Sequence, residues 1–474
     1  MVMLTKAIRN VFWHPLSRFP GPRLYAGSRL PYVFFALTGR LAVQHHKLHK
    51  KYSPIVRTAP NELSFIEASA WKTIHAQHAG RHTAFRKNYD SFNETRNQIG
   101  HSVFIADDDN HRRMRKVLDH AFSPQALREQ EPLIQRHVQE LINGLEDERL
   151  STDGIVNLME WYTWATFDIV ADAAFGEPFK CLLEPTYRHW PILLSKTWKV
   201  IVYSSGVKNT MPSSLRWMFP AWVLQTEVNK LELVLNRVKK RLARKPNRGD
   251  LLSSIIAHND RKGTVTETEI ISNASLFVFA GTETVATLLC AVTYLLTQNP
   301  QAMARITNEI RIRFPDEAII TIQELNEMEY LNACLNEALR IFPPLAEGLP
   351  RIAPPEGATI SGEWIPGDTS VQISHFAANM STSNFEDPES FVPERWLGIN
   401  PRYANDRLEA SQPFSAGLRS CIGRNLAMAE VRLILARLLW RYDLRCTLQS
   451  KWTDQVAYML WEKGPLPIEL TRVR

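Results

Sequence analysis

The chain has 474 residues, 45% hydrophobic and 22% charged, ordinary globular values with enough length to bury a sizeable core as two or three domains or one large α-rich unit. Its formal net charge of +7 suits an acidic partner or an anionic membrane surface, but the basic residues are dispersed apart from short clusters at His111–Lys116 and Lys239–Arg248. No nucleic-acid motif accompanies either cluster, and five irregularly spaced cysteines without a CxxC pair exclude a disulfide scaffold or zinc ribbon and suit a reducing compartment.

The first residues, MVMLTKAIRNVFWHP, lack the continuous apolar run and small-residue cleavage site of a secretory signal. Lys6, Arg9 and Asn10 interrupt the only N-terminal candidate for a membrane span, leaving a short amphipathic segment. Pro15, Pro20, Gly21 and Pro22 in HPLSRFPGPR cannot continue a helix, and the stretch reads as a stiff, extended hinge. Residues 54–66, PIVRTAPNELSFI, read as two short strands turning at Pro60-Asn61. From about residue 110 to 300 the pattern is mostly helical, as in QRHVQELINGLEDE and VNKLELVLNRVKKRLARK, with a loop at Ser204–Pro212.

The longest helical pattern begins near Thr266, which has capping-box spacing to Glu269, and stops at Asn299-Pro300. It makes a rod of roughly 50 Å. Apolar nearly all round from Ala274 to Leu296, it should cross the protein interior. A carboxylate in mid-run, Glu283, flanked by Thr282, Thr284 and Thr287, opposes the rival reading of a lipid-exposed span. Beyond residue 350 prolines and glycines (APPEGATISGEWIPGD) mark short strands and turns; a last helix is expected at Asn425–Tyr442 and strands again in Val456–Leu470. The outline is mainly α with a smaller β portion.

The stretch FSAGLRSCIG, Phe414–Gly423, sets Cys421 among small residues just before that last helix. Ser415, Ala416, Gly417, Ser420 and Gly423 let a flat object approach the backbone, and helix N–H groups with Arg419 favour a thiolate. Such a thiolate is a nucleophile or a metal ligand. With 14 histidines a base is available, and no companion stands at zinc spacing. Haem iron needs only one protein ligand, since the porphyrin supplies four nitrogens. A lone cysteine is most often a small buried hydrophobe, so the other motifs must decide.

FSAGLRSCIG resembles the haem-binding signature of the cytochrome P450 superfamily, with Phe414, Gly417, Arg419, Cys421 and Gly423 in register. Ala280-Gly281-Thr282-Glu283-Thr284 resembles the family's oxygen-activating motif. There Ala280 and Thr284 share a helix face, Gly281 leaves room for a diatomic, and Glu283 feeds protons toward the Thr284 hydroxyl. Alone, the stretch fits better a buried helix with backbone-bonded threonines. Glu337 and Arg340 in EALR, with Arg395 in PERW, resemble the family's ExxR triad, a rigid brace with a structural role; Trp396 replaces the commoner phenylalanine. HRRMR matches the family's haem-contacting helix in part, with His111 where many members have tryptophan. Arg115, Arg351 (in GLPRIAP) and Arg419 stand where members pair with haem propionates.

The motifs span nearly the whole chain in family order, and HPLSRFPGP, APNELSF and LWEKGPLP are similar in wording to filamentous-fungal members. The resemblance implies a single-domain, mainly α fold: residues 1–24 as amphipathic segment and hinge, 25–474 as the catalytic domain. It implies haem b held by Cys421, and electrons from NADPH through a separate flavoprotein reductase docking on Arg112, Arg113 and Lys116. The implied reaction inserts one oxygen atom of O2 into a lipophilic small molecule, a terpenoid, polyketide or alkaloid of fungal secondary metabolism. Expected pocket residues are Phe104, Ile105, Phe277, Leu345 through Leu349 and Tyr458–Leu460 with Met459, largely apolar except for Glu347.

Microsomal members carry an apolar anchor before the proline hinge. Here about a dozen mixed residues precede it, so the chain is either a shortened form or docks peripherally through this segment and LPYVFFAL (Leu30–Leu37) at the cytosolic face of the endoplasmic reticulum. Two alternatives stand against monooxygenation. An intact Thr284 opposes a haem-thiolate isomerase or dehydratase, and a complete proton-delivery motif opposes a non-catalytic haem or lipid binder.

Overall fold

The computed structural model describes residues 2–75, 85–88, 102–192, 199, 202–203, 250–262 and 265–474. The expected helix in VNKLELVLNRVKKRLARK, the loop at Ser204–Pro212 and the Lys239–Arg248 cluster lie outside them. Its helices include α1 (Val2–Phe12), α2 (Leu30–Leu37), α3 (Leu41–Lys51), α4 (Ala68–Ile74), α5 (Asp108–Ala121), α6 (Pro124–Ser151), α7 (Leu158–Phe175), α8 (Glu267–Thr297), α9 (Glu329–Ile341) and α10 (Arg424–Arg441).

Local signals set the ends of α8. The Thr266 hydroxyl accepts from the Glu269 N–H while the Glu269 carboxylate accepts from the Thr266 N–H, and Pro300 opens the next helix. Long and apolar enough to cross a membrane, α8 is mostly buried in protein instead. It packs along α7, which is buried on nearly every side. They pack tightly at Gly281, where an added Cβ would stand 2.9 Å from Val170 Cγ2. Thr166 Oγ1 donates to the Thr282 carbonyl at 3.2 Å, and the Tyr162 and Thr293 hydroxyls meet at 2.8 Å. The apolar cluster around this pair draws residues from Ala42 to Leu470, which makes one domain of what length alone allowed to be two or three.

The strands are β1 (Ile55–Ala59), β2 (Glu62–Phe65), β3 (Arg86–Lys87), β4 (Ile155–Asn157), β5 (Arg351–Ile352), β6 (Ala358–Ile360), β7 (Glu363–Ile365), β8 (Ser370–Ile373), β9 (Tyr442–Cys446), β10 (Ala457–Tyr458), β11 (Leu460–Trp461) and β12 (Pro467–Arg472). One sheet runs β1-β2-β8-β5-β3, with β2 and β8 parallel and the other neighbours antiparallel. Its register sets Lys87 opposite Arg351. An antiparallel β4-β12-β9 sheet and the hairpins β6-β7 and β10-β11 complete the β portion.

The proline-rich stretch is not an extended hinge. It folds into successive turns, Ser17 N–H to His14 O at 2.8 Å and Phe19 N–H to Leu16 O at 3.1 Å. Leu16 and Phe19 are thereby buried against Leu63, Phe65 and Ile373 of the five-stranded sheet, which an extended chain would leave in water. The Pro20 carbonyl then accepts from the Arg57 N–H at 2.9 Å, and a Cβ on Gly21 would come within 2.6 Å of Arg57 O, so only glycine passes there.

Candidate active site

The cysteine loop turns through Ser415 and Gly417, both at positive φ (59° and 72°), into a 3-10 turn at Gly417–Arg419. The Cys421 N–H closes it on the Phe414 carbonyl at 2.8 Å, and α10 starts three residues on, capped by Gly423. Cys421 is exposed by surface area yet enclosed by surrounding chain, as befits a residue on an inner wall of the fold. A Cβ on Gly423 would meet nothing within 4 Å, so the loop keeps an open side.

Burial pushes the Cys421 thiol pKa up, against the opposing pull of the Gly423 and Arg424 N–H groups and the charges of Arg115 and Arg424. The expectation that Arg419 supplies the stabilising cation fails. Its guanidinium is drawn away to Asp108 Oδ1 at 2.7 Å and the Ala106 carbonyl at 2.8 Å. A thiol so placed ionises when a metal binds and supplies the missing charge.

Beside the loop four cations converge. Arg115 on α5 donates to the Ser420 carbonyl at 2.7 Å and to Asp119; Arg351 is buried on β5; Lys87 is buried across from it on β3; Arg419 completes the group. Their repulsion shows in the neighbours they perturb. Burial, then Arg419 and Arg351, pull Lys87 well below its ordinary pKa. Burial, then Arg419 and Arg115, lower His111 to about 4. Like charges gathered in a desolvated place suit a polyanionic occupant. Together with an exposed thiol on a low-bulk loop, this arrangement fits haem, whose propionates would meet the cations. Among the described residues no group of three or more His, Cys, Asp or Glu side chains is disposed to hold a bare metal ion. Sequence reasoning missed Lys87, which stands in no motif; only the β3–β5 register reveals it.

Along α8 runs a half-buried stripe on an otherwise buried rod: Leu276, Ala280 and Thr284 at successive turns, with Ser275, Phe279 and Gly281 beside them. The Thr284 hydroxyl donates to the Ala280 carbonyl at 2.7 Å on this stripe. One expectation is extended and another changes. Gly281 has a packing reason to be small besides the expected one, since Val170 presses on it from α7. The Glu283 carboxylate is paired with Lys463 from the segment after β11, both side chains being buried, and does not hydrogen-bond Thr284. Lys463 carried no sequence signal, lying 180 residues along the chain from its partner.

Glu337 on α9 accepts from Arg340 Nε and Nη2 (2.9 and 2.8 Å), Arg395 Nε (3.0 Å), the Val392 N–H (3.0 Å) and Trp396 Nε1 (2.8 Å). Burial alone would raise its pKa, but Arg340 and Arg395 outweigh that and hold it below the ordinary carboxylate value. The expected triad is therefore formed, with Trp396 as an unforeseen further donor.

The pocket residues divide. Phe104, Leu345, Leu349 and Met459 are half-buried; Leu345 bridges Leu460 of the β10-β11 hairpin, whose tip residue Met459 takes φ +71°. The Lys87 ammonium lies 3.8 Å over the Phe104 ring. Ile105 and Phe277 are buried, and Phe277 packs edge-on against Phe122 at 5.1 Å, which makes it core and not wall. Glu347 turns from the pocket loop to His45 Nδ1 (3.0 Å) and the Ser374 hydroxyl (2.9 Å). Of the basic surface expected to receive a reductase, Arg112 and Lys116 are exposed. Arg113 is instead held by the capping carboxylate Glu269 at 2.5 and 3.0 Å.

The cytochrome P450 family model matches residues 25–468. The cytochrome P450 monooxygenase atr2 of Stereocaulon alpinum is 40% identical over 98% of this chain and 92% of its own. The cytochrome P450 monooxygenase lcsI of Purpureocillium lilacinum is 41% identical over 100% of this chain and 93% of its own. The averantin hydroxylase of Dothistroma septosporum is 38% identical over 98% of this chain and 89% of its own. Fold, exposed loop thiol, cation cluster and kinship agree: the chain belongs to the cytochrome P450 family, as a monooxygenase using haem b on a cysteine thiolate, dioxygen and electrons from a reductase.

Proposed function

We propose that this enzyme oxygenates a medium-sized lipophilic molecule of fungal secondary metabolism, a terpenoid, polyketide or alkaloid, and that the Cys421 thiolate would hold the haem iron. The observation that carries the reading is the pairing of an accessible thiol and four converging cations with the half-buried Ala280–Thr284 stripe of α8. One relative is named for hydroxylating averantin, which supports hydroxylation as the reaction class. The net change is RH + O2 + NADPH + H+ to ROH + H2O + NADP+.

Haem, when bound, supplies the activation of dioxygen and the oxidising power for C–H cleavage. The chain's residues do the rest. Arg115, Arg351, Arg419 and Lys87, with His111, would hold the haem propionates. Thr284 presents a hydroxyl on the half-buried stripe of α8, Glu283 supplies protons toward it, and Ala280 shapes the same face. Phe104, Leu345, Leu349 and Met459 orient an apolar substrate and keep water out. Glu337, Arg340 and Arg395 brace the loop from behind.

Electrons arrive from NADPH through NADPH–cytochrome P450 reductase, for which exposed Arg112 and Lys116 offer a basic landing. Leu4, Ile8, Phe12, Trp13, Leu24, Leu30 and Phe34 are large apolar side chains left exposed at the N-terminal end, which supports peripheral docking on the endoplasmic reticulum.

The test is the carbon monoxide difference spectrum of the reduced protein. A Soret band strongly shifted to the red, lost in Cys421→Ala, is expected. A band at the ordinary histidine-ligated position, or no haem in folded protein, overturns the assignment.

A further inference from the structure

Two carboxylates in this fold are buried and held very differently. Glu337 accepts five hydrogen bonds from four residues. For Glu283 the described residues supply one side-chain partner, the Lys463 ammonium, and the pair is 7% and 4% exposed. A five-fold brace moves only if the surrounding protein moves. A single ammonium contact opens when one side chain rotates.

The backbone around Lys463 is fixed while its side chain reaches inward. The Glu462 N–H donates to Val456 O at 2.8 Å, the Gly464 N–H to Gln455 Oε1 at 2.9 Å, and Trp452 Nε1 to Gly464 O at 3.2 Å. The same segment touches the pocket wall. Leu460 bridges Leu345, Met459 is the hairpin tip, and Glu462 pairs with Lys199 at 3.1 Å. A molecule seated against Leu345 and Met459 therefore bears on the segment that carries the lysine.

We propose that Lys463 is a positioning residue for Glu283, a side-chain latch on the proton supply to Thr284; this rests on reading Glu283 as that supply. Closed, the ion pair commits the carboxylate to Lys463, on the side of α8 that also carries Cys290, where both charges are felt. Neighbouring residues on a helix point about 100° apart, so the latched group stands off from the Thr284 face. Open, the carboxylate takes a proton from solvent and passes it on through the Thr284 hydroxyl. Lys463 itself loses no proton.

The experiment compares the purified holoenzyme with Lys463→Met, Lys463→Arg, Glu283→Gln and Lys463→Met/Glu283→Gln. Infrared difference spectra should show a protonated carboxylic acid band in Lys463→Met, because a buried carboxylate left unpaired neutralises, and the band should vanish in the double variant. With reductase and an oxidised substrate, the share of NADPH consumed as NADPH + H+ + O2 to NADP+ + H2O2 should change several-fold in Lys463→Met and return toward wild type in Lys463→Arg. No acid band together with unchanged coupling overturns the latch. An acid band with unchanged coupling also overturns it, since Lys463 would then hold a charge without bearing on proton supply. Wild-type coupling and turnover in Glu283→Gln would instead overturn the reading of Glu283 as the proton source, a separate result.

Discussion

Trp396 donates its indole N–H to Glu337 Oε2 at 2.8 Å, joining two motifs 59 residues apart at one buried carboxylate. A hydrogen bond to a charged group is worth about 1.5–3 kcal/mol. Trp396→Phe, which restores the commoner family residue, should therefore cost about 1–3 kcal/mol of unfolding free energy, read from a denaturant midpoint. Glu337→Gln leaves Arg340 and Arg395 facing a neutral group and should cost about 3–5 kcal/mol. A Trp396→Phe effect as large as that of Glu337→Gln would show that the indole's packing, and not its N–H, matters.

Gly281 and Val170 should behave as a coupled pair. Gly281→Ala drives a methyl into Val170 and should destabilise by about 1–3 kcal/mol despite the better helix propensity of alanine. Val170→Ala makes room and should remove most of that penalty in the double variant. Additive effects in a double-mutant cycle would leave Gly281 only the role of making space for oxygen.

Lys87 should govern haem retention. Lys87→Met removes one of the cations proposed to face the propionates, so transfer of haem to a scavenging apoglobin should speed up several-fold. Arg86→Met, at an exposed neighbour paired with Asp368, should leave the rate unchanged.

His137 predicts a pH dependence of stability. It lies buried between Asp172 (2.9 Å) and Glu140 (2.7 Å). Burial works to lower its pKa, but the two carboxylates outweigh that and raise it above 6.5. A raised histidine pKa stabilises the folded state fully below the unfolded value of 6.5, and the contribution fades as pH climbs through the folded value. Unfolding midpoints should thus fall from pH 6 toward alkaline pH, and His137→Gln should flatten this part of the profile. An unchanged profile in the variant would place the titration elsewhere.

The elements were legible where local chemistry decides them. Thr266, Glu269 and Pro300 mark the ends of α8 in the chain itself, the turn at Pro60-Asn61 separates β1 and β2, and the last helix begins at Arg424, one residue from the position expected. The family motifs placed Cys421, Thr284 and the Glu337 brace for the same reason: each is a short pattern with its own geometry. What escaped was set by contacts between distant segments. Lys87 meets Arg351 only through a sheet register, Lys463 meets Glu283 only because the C-terminal segment folds back on α8, and Phe277 turns to the core because Phe122 is there to meet it. The proline stretch misled because proline forbids a helix but not a turn, and the burial of Leu16 and Phe19 chose the turn.

Those buried anchors have a mechanical consequence. Leu16 and Phe19 root the stretch after α1 in the same cluster as Leu63 and Ile373, and Asn10 reaches the Gly27 carbonyl at 3.4 Å, so α1 cannot swivel like a tether. A bilayer that takes up Leu4, Ile8 and Phe12 would hold the whole body at one tilt. The depth at which an oily molecule enters would then be set by the angle of a single eleven-residue helix.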